Sequence, residues 1–312
     1  MSNSSPAKRS AAAPGDVLAS RPGDRRRAVL VPVAMMILAC ALVAATMLFA
    51  KMLGRAVDGP PIHPLQVTAG RYIFALVALA PVIAWYRPPL RGAAWGNHML
   101  RVASGWSGVT CLFAAAAYMR LADATAIGFL NPIVAMVLAI PILGETVGRW
   151  RWGAAFVAFI GAVVLVRPGT DAFQPAALLA LLAALLVGLE VVLVKRLTNI
   201  ETPLRILAIG NMIGGVLAVG AASFVWIWPT PMQWMLLAGI GFAMVAAQAL
   251  LLQALKRGDA SFVIPLFYSA LVFAGLYDYA VFGERPGINT VIGAILIIGG
   301  SLVIAWRERS RG

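Results

Sequence analysis

Two acidic residues stand inside long apolar runs of the sequence, where a charge is energetically expensive. Glu190 lies five residues before Lys195, and Asp278 lies near the start of the stretch "YDYAVFGERPG". On membrane-insertion scales such a charge costs roughly 2.5–3.5 kcal/mol at the centre of a spanning helix, so each acid needs a partner or a task. A carboxylate in this setting can bind the ammonium group of a ligand or carry a coupling proton. For Glu190 the alternative is a pair with a nearby lysine or arginine.

Other polar and aromatic side chains are candidates for the same binding or coupling site. Arg71 enters its apolar run from the same predicted side as Asp278, so the two residues are candidates for a pair that would act either as a structural tie or as an outer gate. Trp106 and Phe242 are candidates for two walls of a central cavity, although aromatic residues more often simply pack. Polar residues in spanning helices often only bond a neighbouring helix, for about 0.6 kcal/mol. The remaining candidates are Tyr72, Asn211, Gln248 and Tyr268.

The phrases "LGE" and "FGE" place Glu145 and Glu284 directly after a glycine, at similar points near the ends of apolar runs. A glycine can end a helix, and an acid shortly before the next helix favours the positive end of its dipole. We interpret both glutamates as structural turns or gates, and we predict no catalytic residue.

The elements that must position these side chains are membrane-spanning helices. Of the 312 residues, 61% are hydrophobic and 12% are charged, with a mean hydropathy of +0.88; soluble domains are about 25% charged. Apolar runs long enough to cross a ~30 Å hydrocarbon core recur along the chain. The sequence therefore predicts an all-α polytopic membrane protein. Its ten predicted spans are 29–50, 66–86, 98–119, 124–143, 151–167, 174–195, 203–225, 232–254, 260–282 and 287–306.

The basic residues predict the orientation. With the N-terminus inside, nineteen of the 25 lysines and arginines fall on cytoplasmic segments and span ends, and six fall on the other side. This excess follows the positive-inside rule and places both termini in the cytoplasm. The net charge of +13 lies between the apolar runs rather than in one patch, which disfavours nucleic-acid binding.

Metal and cofactor chemistry find little support in the sequence. His63 and His98 lie in or beside predicted loops, where we expect surface or interfacial positions, and Cys40 and Cys111 fall inside predicted spans. None of them makes a metal-binding spacing. The dipeptide "GK" of a nucleotide-binding P-loop does not occur. We expect no metal, no cofactor and no enzymatic activity.

The two halves of the chain resemble each other. Residues 38–53 align without a gap with residues 182–197 at six identical positions, with Lys51 on Lys195. Five such matches occur in the same order, at shifts of 136 to 144 residues. Each half holds five predicted spans, so the second crosses the membrane in the opposite sense, as in secondary transporters built from inverted repeats. The predicted segments are a disordered basic cytoplasmic tail (1–28), two five-helix repeats (29–169 and 174–306) and a second cytoplasmic tail (307–312).

Two stretches also resemble a known family. "ADATAIGFLNPIVAMVLAIPILGETVGRWRWGAAFVAFIGAVVLVRPG" and "GDASFVIPLFYSALVFAGLYDYAVFGE" are similar to the ends of the two repeats of EamA-type permeases in the drug/metabolite transporter superfamily. The likeness covers about residues 29–306. It implies a ten-helix permease of the bacterial inner membrane that moves small metabolites. Members of this group carry amino acids, vitamins, nucleoside-like compounds or S-adenosylmethionine.

Together these features predict a secondary transporter that works by alternating access. We expect export of amino acids or related amphiphilic metabolites, because aromatic and acidic candidates suit an ammonium-bearing ligand. The alternative is uptake of a vitamin or nucleoside-like compound, and a membrane-embedded enzyme or a non-transporting sensor is a distant one. The expected partners are the small-molecule substrate, the lipid bilayer and protons as candidate coupling ions, with the chain a monomer or a weak homodimer.

Overall fold

The described part of the protein consists of helices joined by turns and loops, and it contains no strand. The computed structural model describes residues 22–87, 92–144, 148–166, 174–198, 200–257, 266 and 268–309. The helices are α1 (Pro22–Gly54), α2 (Pro64–Tyr86), α3 (Trp95–Tyr118), α4 (Leu121–Gly128), α5 (Asn131–Leu143), α6 (Arg149–Val166), α7 (Ala176–Thr198), α8 (Pro203–Ala222), α9 (Pro231–Arg257), α10 (Ser269–Phe282) and α11 (Ile288–Arg309).

Seven helical segments in these described ranges are long and apolar enough to cross a bilayer, with α4 and α5 together forming one of them. Shorter apolar stretches lie in α6, α10 and α11, at Ala155–Val166, Ser269–Phe282 and Ile288–Gly299. The prediction of an all-helical, multi-pass membrane protein is therefore confirmed. Helix α1 begins at Pro22, so residues 22–28, predicted to lie in the disordered tail, are helical.

The span predicted at 124–143 is not one continuous helix. It is divided between α4, which ends at Gly128, and α5, which begins at Asn131. Pro132 lies in the first turn of α5, where its missing N–H is no loss because the first N–H groups of a helix have no intrahelical acceptor. The proline therefore starts a new helix instead of bending an existing one.

A glycine in the left-handed conformation ends both α5 and α10. Gly144 has φ 70° and Gly283 has φ 68°, backbone angles that residues with a Cβ rarely adopt. After α10, the Gly283 N–H donates to the Tyr279 carbonyl at 3.0 Å and the Glu284 N–H to the Asp278 carbonyl at 3.4 Å. This turn brings Glu284 back towards Asp278.

Helix packing defines the surroundings of the buried charges. Helix α1 packs most extensively on α9, α3 on α7, and α6 on α11, while α2 lies against both α8 and α9. Helix α1 also contacts α10. The C-terminal end of α1 therefore meets the end of α10, and α2, α3, α7 and α8 also contact one another.

Close approach of α6 and α11 depends on two glycines. A Cβ added to Gly161 would lie 2.8 Å from the Gly293 carbonyl oxygen, and a Cβ added to Gly293 would lie 2.8 Å from that of Gly161. Such small residues allow helix backbones to meet in membranes. We expect Gly161→Ala to separate the helices and to lower the free energy of unfolding by about 1–3 kcal/mol, measured by denaturant titration in micelles.

The matched control is Gly153→Ala on the same helix, since no atom lies within 4 Å of a Cβ added there. This control should leave stability unchanged or raise it by up to about 1 kcal/mol, the helix-propensity difference between glycine and alanine. Equal losses in both variants would contradict the packing role of Gly161.

Candidate functional site

Two of the groups of charged side chains inside the described part of the bundle contain the acids that stand out in the sequence, Asp278 and Glu190. The first, the Lys51 cluster, consists of Lys51 and Arg55 at the end of α1 and Asp278 and Glu284 at the end of α10. The second, the Glu190 cluster, consists of Arg71 on α2, Arg101 and Trp106 on α3, and Glu190 on α7. Each cluster joins helices from the two halves of the chain.

Lys51 is completely buried, with 0% of its side chain exposed, and holds two carboxylates together. Its Nζ atom donates to Asp278 Oδ1 at 2.5 Å and to Glu284 Oε2 at 2.8 Å. The second Asp278 oxygen accepts from the Leu121 N–H, the first of α4, at 2.7 Å. Asp278 therefore links three helices, and its charge is both paired and hydrogen-bonded.

Arg55 completes the charge balance of the Lys51 cluster. Its Nη1 atom donates to Glu284 Oε1 at 2.5 Å, and its Nε atom donates to the Ala117 carbonyl at 3.0 Å. The Phe282 ring lies 4.7 Å from Lys51 Nζ and 5.2 Å from the Arg55 guanidinium carbon. Burial acts to raise the pKa of the Glu284 carboxyl, but hydrogen bonds and charges from Lys51 and Arg55 outweigh burial and hold that pKa below its ordinary value.

The predicted Arg71–Asp278 pair is wrong. Asp278 pairs with Lys51, because α10 packs on α1, whereas Arg71 belongs to α2, which packs on α8 and α9. The turn residue Glu284 carries two ion pairs in addition to its position after Gly283. Glu145 lies outside the described residues.

Glu190 has an arginine partner, as one of the two sequence-based alternatives proposed. Arg101 Nη2 lies 3.6 Å from Glu190 Oε1, and Arg101 Nη1 donates to the Ile206 carbonyl at 3.1 Å. The charge of Arg71 also acts on the Glu190 carboxylate. Gly105 leaves the space that Glu190 occupies, since a Cβ there would lie 2.5 Å from Glu190 Cδ.

Several buried donors of the Glu190 cluster have no hydrogen-bond partner. They are Nε and Nη1 of Arg71, Nε of Arg101 and the indole Nε1 of Trp106. Buried polar atoms are nearly always satisfied in native proteins, so each exception needs an explanation. A group of unpartnered donors beside charged side chains is the arrangement that a ligand with acceptor oxygens would complete.

Tyr72 lies beneath the Arg71 guanidinium. The guanidinium carbon is 4.9 Å from the Tyr72 ring centroid, within the range of a cation–π contact. A Cβ on Gly214 of α8 would lie 2.7 Å from Tyr72 Cζ, so this glycine makes room for the ring. Trp106 packs against the buried cluster that includes Tyr72, and the charge of Arg71 acts on Glu190. The structure therefore brings Arg71, Tyr72, Trp106 and Glu190 into one region of the bundle.

The other sequence-derived candidates occupy different positions. The Asn211 amide donates to the Leu207 carbonyl of its own helix at 2.9 Å, and Phe242 is 46% exposed and lies 6.0 Å from the Phe74 ring. Gln248 is half-buried on α9, and Tyr268 stacks edge-on against Phe129 at 5.1 Å.

His98 is buried, so its predicted surface or interfacial position is wrong. It lies in the first turn of α3 against the segment that joins α7 to α8, where its Nε2 is 2.8 Å from Glu201 Oε2. Arg205 Nε lies 3.5 Å from the same Oε2 atom, and the other Glu201 oxygen, Oε1, accepts from the Ala94 N–H at 2.8 Å. Burial acts to raise the pKa of Glu201, but the bonds from Ala94 and His98 and the charge of Arg205 hold the pKa below its ordinary value.

The depressed pKa of Glu201 predicts a pH dependence of stability. Its contribution is present above the ordinary value of 4.5 and is lost as the pH falls through the lower folded-state value. We expect Glu201→Gln to lower the free energy of unfolding by about 1–3 kcal/mol at pH 7, with the gap to wild type narrowing as the pH falls below 4.5. Thermal and denaturant unfolding in micelles measures this gap, with the exposed Asp58→Asn as control; a gap that does not narrow as the pH is lowered below 4.5 would contradict the assignment.

Three residues that the structure places in the clusters carry only weak signals in the sequence. Arg55 and Arg101 enter only the count of charges that predicts orientation, and Lys51 enters that count and the alignment of the two halves. Lys51 and Arg55 stand four residues apart at the end of an apolar helix, hence on one face, and Arg101 is the seventh residue of α3. The four-residue spacing of Lys51 and Arg55 and the position of Arg101 inside α3 are the signals that could have marked these residues as partners for the buried acids.

Comparisons of sequence and structure relate the chain to known proteins over most of its length. A sequence profile of the EamA-like transporter family matches residues 30–167 and 174–306. The chain is 28% identical over 252 residues to an S-adenosylmethionine uptake transporter of Rickettsia bellii, covering 80% of this chain and 87% of that protein. It is 34% identical over 219 residues to a riboflavin transporter of Rhizobium johnstonii, covering 69% and 72%. A solved structure with 18% identity shares the fold, with a TM-score of 0.59 over 91% of this chain and 98% of the other.

Proposed function

The chain belongs to the EamA-like transporter family, and we propose that it is a secondary transporter for an amphiphilic metabolite that bears an amino-acid group. The observation that carries this proposal is the Glu190 cluster, with its charged side chains and its unpartnered buried donors. Ionisable groups inside a membrane protein mark the pathways of substrates and ions. In the proposed mode of binding, Arg71 and Trp106 donate to the substrate, while Glu190, paired with Arg101, accepts from its ammonium group.

We propose that the two halves, 29–169 and 174–306, are inverted repeats that move against each other. Under the repeat, α1, α2, α3, the α4–α5 segment and α6 correspond to α7, α8, α9, α10 and α11. The main helix contacts are compatible with such an axis: α1–α9 exchanges with α7–α3, and α1–α10 exchanges with α7–α5, while α2–α8 and α6–α11 map onto themselves. Both termini are proposed to lie in the cytoplasm of a bacterial cell, with the chain in the inner membrane.

In this arrangement the Lys51 cluster is the outer gate. Its members come from opposite halves of the chain, at the predicted periplasmic ends of α1 and α10, and its central lysine is sealed from solvent. Opening the gate would require the Lys51 and Arg55 pairs to break, so the ion pairs would form and separate once in each transport cycle. Glu190 and Asp278 are the proposed carriers of a coupling proton.

The proposed direction is export. The Lys51 cluster is closed, while Glu190 retains 26% of its side-chain exposure and lies nearer the predicted cytoplasmic end of its helix. This asymmetry supports loading of the site from the cytoplasm. Uptake of a nucleoside-like compound is the second candidate, favoured by the similarity to S-adenosylmethionine uptake transporters.

Counterflow in proteoliposomes tests this function. Vesicles that contain the purified chain and an excess of one unlabelled compound should accumulate the same labelled compound, with amino acids, S-adenosylmethionine and riboflavin as the panel. Protein-free vesicles are the control. Metabolite profiles of cells that lack or overproduce the chain then separate export from uptake. A complete lack of counterflow across the panel would count against the proposal.

A further inference from the structure

Arg71 carries a charge that the described residues around it do not balance. The Glu190 cluster holds two guanidinium groups and one carboxylate, which leaves one positive charge in excess. The carboxylate lies 3.6 Å from Arg101, which also donates to the Ile206 carbonyl. Arg71 is left with the ring of Tyr72 and a longer-range attraction to Glu190.

The environment of Arg71 is inconsistent with a side chain that reaches out to lipid headgroups. Its Nε and Nη1 atoms are buried and have no partner, although a snorkelling arginine keeps its head group in water. Tyr72 supports the guanidinium from one side at 4.9 Å, and the space for that ring is provided by Gly214. The guanidinium is therefore held against Tyr72 with its Nε and Nη1 donors unused.

We propose that Arg71 binds a carboxylate group of the transported metabolite, so that a free carboxylate defines the substrate class. This inference rests on the proposed function, and it adds the chemical group by which the substrate is recognised. A guanidinium matches a carboxylate in both charge and geometry, because its planar donors face two acceptor oxygens. The indole N–H of Trp106, which is also buried without a partner, supplies a further donor in the same region. The bound carboxylate supplies the opposite charge that Arg71 lacks among the described residues.

The test compares acids with their methyl esters as ligands of the full chain in micelles. The probes are tryptophan, methionine and S-adenosylmethionine, each with its methyl ester, titrated in thermal-stability measurements. An ester keeps the ammonium group and the side chain but loses the negative charge. For wild type we expect at least one acid to stabilise the protein at concentrations at least about tenfold lower than its ester, as a lost charge-assisted contact implies.

The variants locate this discrimination at Arg71. Arg71→Gln should bind acid and ester equally weakly, and Arg71→Lys should retain part of the preference because it keeps the charge. Trp106→Phe removes the indole donor together with part of the ring and should weaken acid binding a few-fold. Arg87→Gln, at an exposed arginine that follows α2, should behave as wild type. If Arg71→Gln does not fold, the Lys and Phe variants give the decisive comparison.

Three results would overturn the carboxylate assignment: an ester that binds as well as its acid in wild type, a preference for acid that survives in Arg71→Gln, or no stabilisation by any acid. The outcome is separable from the proposed function. Counterflow of a compound without a carboxylate, such as riboflavin, would support transport and overturn this inference. Preference for acids without any counterflow would support the binding site and overturn transport.

Discussion

Replacing Lys51 with methionine is expected to lower the free energy of unfolding by about 3–5 kcal/mol, since removal of one partner of a buried ion pair leaves an uncompensated charge. Lys51 is 0% exposed and holds Asp278 at 2.5 Å and Glu284 at 2.8 Å. Methionine preserves most of the side-chain volume, so the loss would report the charge rather than a cavity. Unfolding by denaturant titration in micelles measures the effect.

A double variant and a matched single variant identify the cause. Lys51→Met combined with Asp278→Asn should recover most of the lost stability, because the asparagine oxygen can still accept from the Leu121 N–H while the unpaired charge is gone. Arg55→Met, at a side chain that is 31% exposed, should cost less than about 1 kcal/mol. Additive losses in the double variant, or a larger loss at Arg55 than at Lys51, would contradict the description of the Lys51 cluster.

Replacing Glu190 with glutamine is expected to slow transport about 10–100-fold. The change leaves Arg101 and Arg71 without their carboxylate and removes the acceptor proposed for the substrate ammonium. Hydrogen bonds to charged groups contribute about 1.5–3 kcal/mol, and each 1.4 kcal/mol corresponds to about a factor of ten. The initial rate of counterflow at subsaturating substrate measures the effect.

The charge balance of the cluster provides an internal control. The double variant Glu190→Gln, Arg101→Gln restores the net charge of the Glu190 cluster to plus one. It should therefore transport faster than Glu190→Gln alone. Asp58→Asn changes an exposed acid outside both clusters and should leave the rate unchanged. Normal transport by Glu190→Gln at every pH examined would exclude this glutamate from substrate binding and from proton coupling.

The family, the helical class and the presence of buried acids could be predicted from the sequence, but the partners of those acids could not. Glu190 and Asp278 stand out because a carboxylate inside an apolar run is energetically costly, and the sequence alone is enough to identify it. Which cation neutralises each acid depends on how helices far apart in the chain pack together. Lys51 and Asp278 are separated by 227 residues, and a hydropathy pattern contains no information about their contact.

Burial of basic residues is hidden from the sequence for a related reason. The positive-inside rule treats a lysine or arginine near the end of a span as a signal of orientation, and Lys51, Arg55 and Arg101 all lie near such ends. Long side chains can also extend along the protein into the bundle, so a position near the interface does not fix where the charge resides. His98 illustrates the same difficulty, since one helical turn inside α3 is enough to bury it against Glu201.

Alternating access requires that the Lys51 cluster open in every transport cycle, and cross-linking the cluster measures this opening directly. Arg55→Cys and Glu284→Cys, in a background with Cys40→Ala and Cys111→Ala, place two thiols on α1 and after α10 at partly exposed positions. A short bifunctional thiol reagent should abolish counterflow in the double-cysteine variant and leave each single-cysteine variant active, and a cleavable reagent should restore flux after reduction. Full counterflow through completely cross-linked protein would contradict alternating access through this gate.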